Sequence, residues 1–183
     1  MKDILWLVTL LCFVSSSSAV AQESLIDSLV AAHSYELRVE RGGLSGDGMD
    51  FLMGALDGVQ FFSLAESHNV REIPGITAML FERLHKDRGY NYLALENGPL
   101  IMQRISHVPD DAGIDSIVEL VNRYPQSLHF YSDQEIEMMS RVAAISDGVE
   151  LWGIDQVRGG IQLLDQLRDL SPSDEARGYI DSL

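Results

Sequence analysis

The sequence predicts an α/β fold in which a layered, mostly parallel sheet is flanked by helices. Three short apolar runs of strand type, Val59–Ala65, Tyr90–Leu95 and Val149–Ile154, alternate along the chain with segments whose apolar residues follow helical spacing. The interval between the first two runs has about the length of one strand-helix-strand unit, which favours parallel neighbours. Three strands are fewer than the five or so of a typical sheet, so the sequence predicts an incomplete domain, an N-terminal portion.

The first 21 residues have the plan of a secretory signal peptide. Lys2 precedes an apolar run over residues 4–14, and serines then lead to an Ala19-Val20-Ala21 cleavage site. The apolar run is shorter than the roughly 20 residues that a membrane-spanning helix needs. We therefore predict a secreted or periplasmic protein with no membrane insertion after signal removal. Its mature chain would be a single α/β domain over residues 22–183.

Composition narrows the chemistry of this domain. Cys12 is the only cysteine and lies in the predicted signal peptide. Disulfides, cysteine-bound metals and a cysteine nucleophile are therefore excluded from the mature chain. The chain has 28 acidic and 13 basic residues, for a net charge of −15. Such a surface repels nucleic acid and anionic membranes, and it is compatible with a neutral or cationic small-molecule substrate.

Helical patterns precede and separate the predicted strands. Pro74 suits the first turn of a helix, and Gly89 suits its C-terminal cap. Residues 132–135 have the pattern of a capping box, and Pro125 ends the helix before it. The other helical segments are predicted over residues 23–33, 49–56, 113–124, 161–170 and 172–183.

Each predicted strand ends in an acidic residue, namely Glu66, Glu96 and Asp155. The loops that leave the carboxyl ends of parallel strands form the ligand crevice of an open α/β sheet. We therefore expect Glu66 and Glu96 to share one pocket with His68, which follows the first strand. The alternative for each acid is an ordinary polar loop residue, since loops lie on the surface.

Residues 64–72, Leu-Ala-Glu-Ser-His-Asn-Val-Arg-Glu, resemble the G-E-x-H-G-x-x-E type of signature of the erythromycin esterase-like family. This family belongs to a wider group with the ChaN-like haem-uptake proteins and the Tiki/TraB proteins. The resemblance covers residues 49–170 and continues through the strand that ends in Glu96, an aromatic stretch before Glu135, and Leu-Trp-Gly-Ile-Asp-Gln at residues 151–156. Ala65 and Asn69 replace two glycines, and asparagine tolerates a positive φ.

The resemblance implies a hydrolase that cleaves an ester or lactone with water, without a covalent intermediate and without a cofactor. An imidazole is the side chain best suited to take a proton from water at neutral pH, and carboxylates would orient it. The implied catalytic residues are His68, Glu66, Glu72 and Glu96, and the implied substrate-positioning residues are Arg71, Asp155 and Glu135.

Two alternatives remain open within the same group of families. A ChaN-like module would bind haem or iron through exposed histidine or tyrosine side chains, and the absence of a Cys-x-x-Cys-His motif excludes covalent haem. A Tiki-type peptidase would instead hold a divalent metal ion with Glu66, His68 and Glu96.

Overall fold

A computed structural model of the chain describes residues 25–65, 67–68, 70–109, 112–128, 132–145 and 148–183. The predicted signal peptide and Glu66 lie outside these ranges. The described chain divides into two compact units, one formed by residues 25–38 and 45–56 and the other by residues 39–44 and 57–183. None of the helices in the described ranges has the length and apolar character needed to cross a membrane.

The first unit contains two helices, α1 over residues 25–32 and α2 (Asp47–Ala55). Tyr35, between the helices, stacks on Phe51 of α2 with 4.6 Å between the ring centroids. The Gly48 N–H donates to the carbonyl oxygen of Glu36 at 2.8 Å. These contacts bind the connecting segment to α2. Most residues of a small sheet belong to the second unit; in this sheet two three-residue strands, β1 (Arg38–Glu40) and β2 (Gly43–Ser45), pair with each other.

The second unit carries the larger hydrophobic core and a parallel pair of strands. Its other described elements are α3 (Glu72–Arg88), β3 (Tyr92–Leu95), α4 (Pro99–Ser106), α5 (Gly113–Arg123), α6 (Asp133–Ala143), β4 (Glu150–Gly153), α7 (Gly160–Leu170) and α8 (Asp174–Ile180). Strands β3 and β4 are parallel, with Tyr92 opposite Glu150 and Leu95 opposite Gly153. This part of the fold confirms the α/β class.

The core lies between α3, α4, α5, α6 and one face of the β3–β4 sheet. Ile101, Met102 and Ile105 of α4 are fully buried, because their spacing places them on one side of the helix. Leu151 of β4 packs in the same core, and its N–H donates to the Ser106 hydroxyl oxygen at 3.0 Å. Helix α4 is therefore fastened along β4.

Helix α3 follows the predicted start and stop signals. Pro74 lies in its first turn, and Gly89 ends it in the left-handed conformation (φ 71°), donating its N–H to the His85 carbonyl oxygen at 3.0 Å. Arg141 of α6 donates from Nη2 to a Glu82 carboxylate oxygen of α3 at 2.6 Å, and its Nε donates to the other oxygen. This bidentate ion pair links α3 to α6.

The predicted strand Val59–Ala65 is wrong, since these residues form no strand. Parallel pairing joins the second and third predicted strands, β3 and β4, instead of the first and second. An apolar run becomes a strand only when its backbone finds a ladder partner and its side chains find a covered face. Phe61 in this run is 90% exposed. In the described part of the chain the β3–β4 sheet therefore has two strands, whereas the sequence predicts three.

The capping box predicted at residues 132–135 is confirmed. The Glu135 N–H donates to the Ser132 hydroxyl oxygen at 3.3 Å, and the Ser132 N–H donates to a Glu135 carboxylate oxygen at 2.7 Å. These bonds satisfy two backbone donors that a helix start leaves without intrahelical partners.

Replacing Ser132 with alanine removes one of these bonds, so we expect the free energy of unfolding to fall by about 1 kcal/mol. Urea denaturation followed by circular dichroism measures this loss. Ser140→Ala, inside the same helix, is the matched control and should be neutral or slightly stabilising because alanine favours helices. Equal losses in both variants would contradict a capping role.

Candidate functional site

The carboxyl ends of β3 and β4 lie side by side. Beyond the strands, the Ile154 N–H donates to the Leu95 carbonyl oxygen at 3.1 Å, and the Asp155 N–H donates to that of Asn97 at 3.0 Å. Glu96 and Asp155 therefore leave neighbouring strands at the same edge. In open parallel sheets this edge is where ligands bind. We call Glu96, Asn97 and residues 154–158 the strand-end site.

Close backbone packing fixes the two loops of the strand-end site. A Cβ added to Gly153 would lie 2.4 Å from the carbonyl oxygen of Gly98 and 2.5 Å from that of Asn97. Asn97 itself is buried. Only glycine allows the backbones to approach so closely. The carboxylates of the site are thus carried by tightly packed backbone and not by long, loose loops.

The two carboxylates of the strand-end site have different surroundings. The Glu96 side chain is exposed to solvent. Asp155 is half-buried and accepts a hydrogen bond from Arg158 Nε at 3.3 Å. The Arg158 carbonyl oxygen in turn accepts a hydrogen bond from the side-chain amide of Gln162, in the first turn of α7. The Gln162 side chain is only 1% exposed. Arg158 therefore holds the Asp155 carboxylate and helps to anchor the start of α7.

His68 lies in an exposed turn just before α3. The Val70 N–H donates to the Ser67 carbonyl oxygen at 3.3 Å, which folds the chain around His68. Arg71 is the N-cap residue of α3 and Glu72 is its first residue. A carboxylate at this position is stabilised by the positive end of the helix dipole. His68, Arg71 and Glu72 thus form an exposed group at the start of α3, the helix-start group.

Glu135, predicted to position substrate, lies at the start of α6 instead of at the ends of the strands. Its carboxylate accepts the Ser132 N–H in the capping box. This bond gives Glu135 a structural role of its own. Glu66, the remaining predicted catalytic residue, falls outside the described part of the chain.

A polar cluster that the sequence does not predict joins α5 to α7 around the buried side chain of Tyr124. The Tyr124 hydroxyl donates to a carboxylate oxygen of Asp165 at 2.6 Å, and Arg123 Nη2 donates to the same oxygen at 3.2 Å. The guanidinium carbons of Arg104 and Arg123 lie 5.3 and 5.4 Å from the centroid of the Tyr124 ring. No local pattern indicates this cluster, because Tyr124 and Asp165 are 41 residues apart.

The cluster shifts the pKa values of both members of its central hydrogen bond. The hydrogen bond from Tyr124 lowers the pKa of the Asp165 carboxyl, and Arg123 lowers it further. Burial raises the pKa of the Tyr124 phenol, and its hydrogen bond to Asp165 adds to this rise. The phenol therefore stays protonated and the carboxylate stays charged over a wide pH range.

Replacing Tyr124 with phenylalanine removes this hydrogen bond. We expect the free energy of unfolding at neutral pH to fall by about 1–2 kcal/mol, since the acceptor is charged. Because the pKa of Asp165 is lowered in the folded state, its contribution is present above the ordinary pKa and is lost as pH falls through the folded value. The difference between wild type and variant should therefore shrink in acid.

Urea denaturation at pH 7 and near pH 3 measures that difference. Tyr179→Phe on α8, where the tyrosine is exposed, is the control and should have little effect at either pH. A difference of the same size at both pH values would contradict a bond to the charged carboxylate.

Within the described ranges, no group of three histidine, cysteine, aspartate or glutamate side chains is arranged to hold a metal ion. Glu66, a ligand in the metallopeptidase alternative, falls outside those ranges. Comparison of the chain with models of known protein families, with curated proteins and with solved structures finds no match.

Proposed function

We propose that this chain is a secreted or periplasmic hydrolase that cleaves an ester or lactone of a small molecule with water activated by His68. The observation that carries the proposal is the parallel pairing of β3 with β4, which gathers Glu96 and Asp155 at one carboxyl edge. The resemblance of residues 64–72 to the esterase-like signature supplies the reaction class. A net charge of −15 favours a neutral or cationic substrate.

One contact supports a position for His68 near this edge. The Tyr90 hydroxyl donates to the Val59 carbonyl oxygen at 2.6 Å, so the segment that leads to His68 begins beside the residues that lead into β3. A chain extends by up to about 3.3–3.6 Å per residue. The segment from Val59 to Ala65 is therefore long enough to run the length of β3 and bring His68 to the level of Glu96.

In the proposed reaction, the His68 imidazole takes a proton from a water molecule whose oxygen attacks the carbonyl carbon. Glu72 and Glu96, with Glu66 as the signature implies, orient the imidazole and the water. The tetrahedral oxyanion is balanced by a cationic side chain, and Arg71 is the candidate in the helix-start group. The carbon–oxygen bond to the leaving group then breaks, and the imidazolium returns its proton to the departing oxygen.

Hydrolysis of 4-nitrophenyl acetate and of a simple lactone by the purified protein, with elemental analysis of the same sample, tests the proposal. We expect hydrolysis that persists in a chelator. Hydrolysis that is lost with the chelator, or stoichiometric bound metal, would favour the metallopeptidase alternative. A shifted Soret band on haem titration without hydrolysis would favour the haem-binding alternative.

A further inference from the structure

The outer face of the β3–β4 sheet carries apolar side chains that no layer of the described chain covers. Tyr92 is 53% exposed, Trp152 is 49% exposed and Ile154 is 69% exposed. They alternate with Leu93, Leu95 and Leu151, which point into the core. Parallel sheets in α/β folds are normally covered on both faces by helices. We call Tyr92, Ala94, Glu150, Trp152 and Ile154 the outer sheet face.

The centre of the outer sheet face is an aromatic pair beside a carboxylate. The Tyr92 and Trp152 ring centroids are 4.5 Å apart, and the ring planes are tilted by 43°. The Trp152 indole N–H donates to a Glu150 carboxylate oxygen at 2.9 Å. Aromatic faces attract guanidinium and ammonium groups, and a neighbouring carboxylate strengthens this attraction.

We propose that the outer sheet face binds a basic amphipathic helix of a partner protein. Its apolar side would cover Ala94 and Ile154, and a lysine or arginine at its border would lie over the aromatic pair next to Glu150. Charge complementarity favours this occupant, since the chain has a net charge of −15. The same charge disfavours a second copy, because two such chains repel one another.

The test uses the full-length chain, whose two tryptophans are Trp6 and Trp152. In a Trp6→Phe variant, the fluorescence of Trp152 alone reports on the face. The probe is a helical peptide of leucine and lysine with all leucines on one side. We expect it to shift the Trp152 emission to shorter wavelength and to bind more weakly as salt increases. A peptide with glutamate in place of lysine should give no shift.

Variants localise the binding, which is followed by the anisotropy of a labelled lysine peptide. Trp152→Leu keeps an apolar side chain but removes the ring, and we expect binding about tenfold weaker. Glu150→Gln should weaken it as well and reduce its salt dependence. Tyr179→Leu on α8 is the control and should bind like wild type. Thermal unfolding of each variant checks that the fold is retained.

Three results would overturn the proposal. Equal binding of the lysine and glutamate peptides would show that charge does not contribute to binding. Unchanged binding to Trp152→Leu would show that the peptide binds at a different surface. A shift of Trp152 emission with protein concentration alone, with a dimer in sedimentation that Trp152→Leu abolishes, would assign the face to a second copy. None of these measurements depends on hydrolytic activity.

Discussion

Replacing His68 with alanine should strongly reduce ester hydrolysis and leave the fold intact. A positioned general base contributes typically 10²–10⁴-fold to a reaction rate, so we expect kcat/KM to fall by about this factor. The side chain is exposed in a turn before α3, and its removal leaves no cavity in the core. Initial rates with 4-nitrophenyl acetate give the loss of activity, and thermal unfolding gives the stability.

The matched control is His107→Ala. His107 follows α4, is also exposed, and its ring Nδ1 lies 2.7 Å from the Gln103 carbonyl oxygen in its own segment. Full activity in His107→Ala, together with loss of activity in His68→Ala, would show that the effect is specific to His68 and does not follow from removing any exposed histidine. Glu96→Gln should lower the rate without unfolding the protein. Unchanged hydrolysis in His68→Ala would refute the proposed mechanism.

Replacing Gly153 with alanine should strongly lower the free energy of unfolding, because the added methyl group has no room between the strand-end loops. The new Cβ would overlap the backbone carbonyls of Asn97 and Gly98, at 2.5 and 2.4 Å. These carbonyls belong to the backbone and cannot rotate away from the new methyl group as the end of a flexible side chain could. The strand-end loops must therefore move apart. We expect the free energy of unfolding to fall by about 3 kcal/mol, the upper part of the range for overpacking.

Gly75→Ala is the control for this variant. Gly75 lies in the first turn of α3, and a Cβ there would meet no atom within 4 Å. Alanine favours helices by up to about 1 kcal/mol over glycine, so this variant should be neutral or more stable. Urea denaturation of both proteins gives the comparison. A Gly153→Ala protein as stable as wild type would mean that the two strand-end loops are not packed as described.

Local signals predict the elements that depend on neighbouring residues. The strands β3 and β4 lie inside their predicted ranges, and α3 begins and ends close to Pro74 and Gly89. Helix α4, which is not among the predicted segments, begins at Pro99, because proline is favoured in the first turn of a helix. The sequence pattern shows the proline but not the helix that follows it.

Contacts between distant residues account for what the sequence does not predict. The run Val59–Ala65 has the composition of a strand, but composition alone does not provide a ladder partner. The parallel partner of β3 is β4, which lies more than fifty residues further along the chain. The hydrogen bond between Tyr124, at the end of α5, and Asp165 of α7 likewise joins residues that are far apart in the chain. The strand-end acids Glu96 and Asp155 were predicted individually, whereas their shared edge follows from this pairing.

The bond between the Leu151 N–H and the Ser106 hydroxyl has a consequence for how the sheet can grow. A further strand added beside β4 could not pair with this backbone N–H, because the N–H is already bonded to Ser106. Helix α4 also lies along that side of β4. Unpaired strand edges are the usual starting points of aggregation, and natural proteins block them. This bond therefore helps to block the β4 edge of the sheet against pairing with another strand.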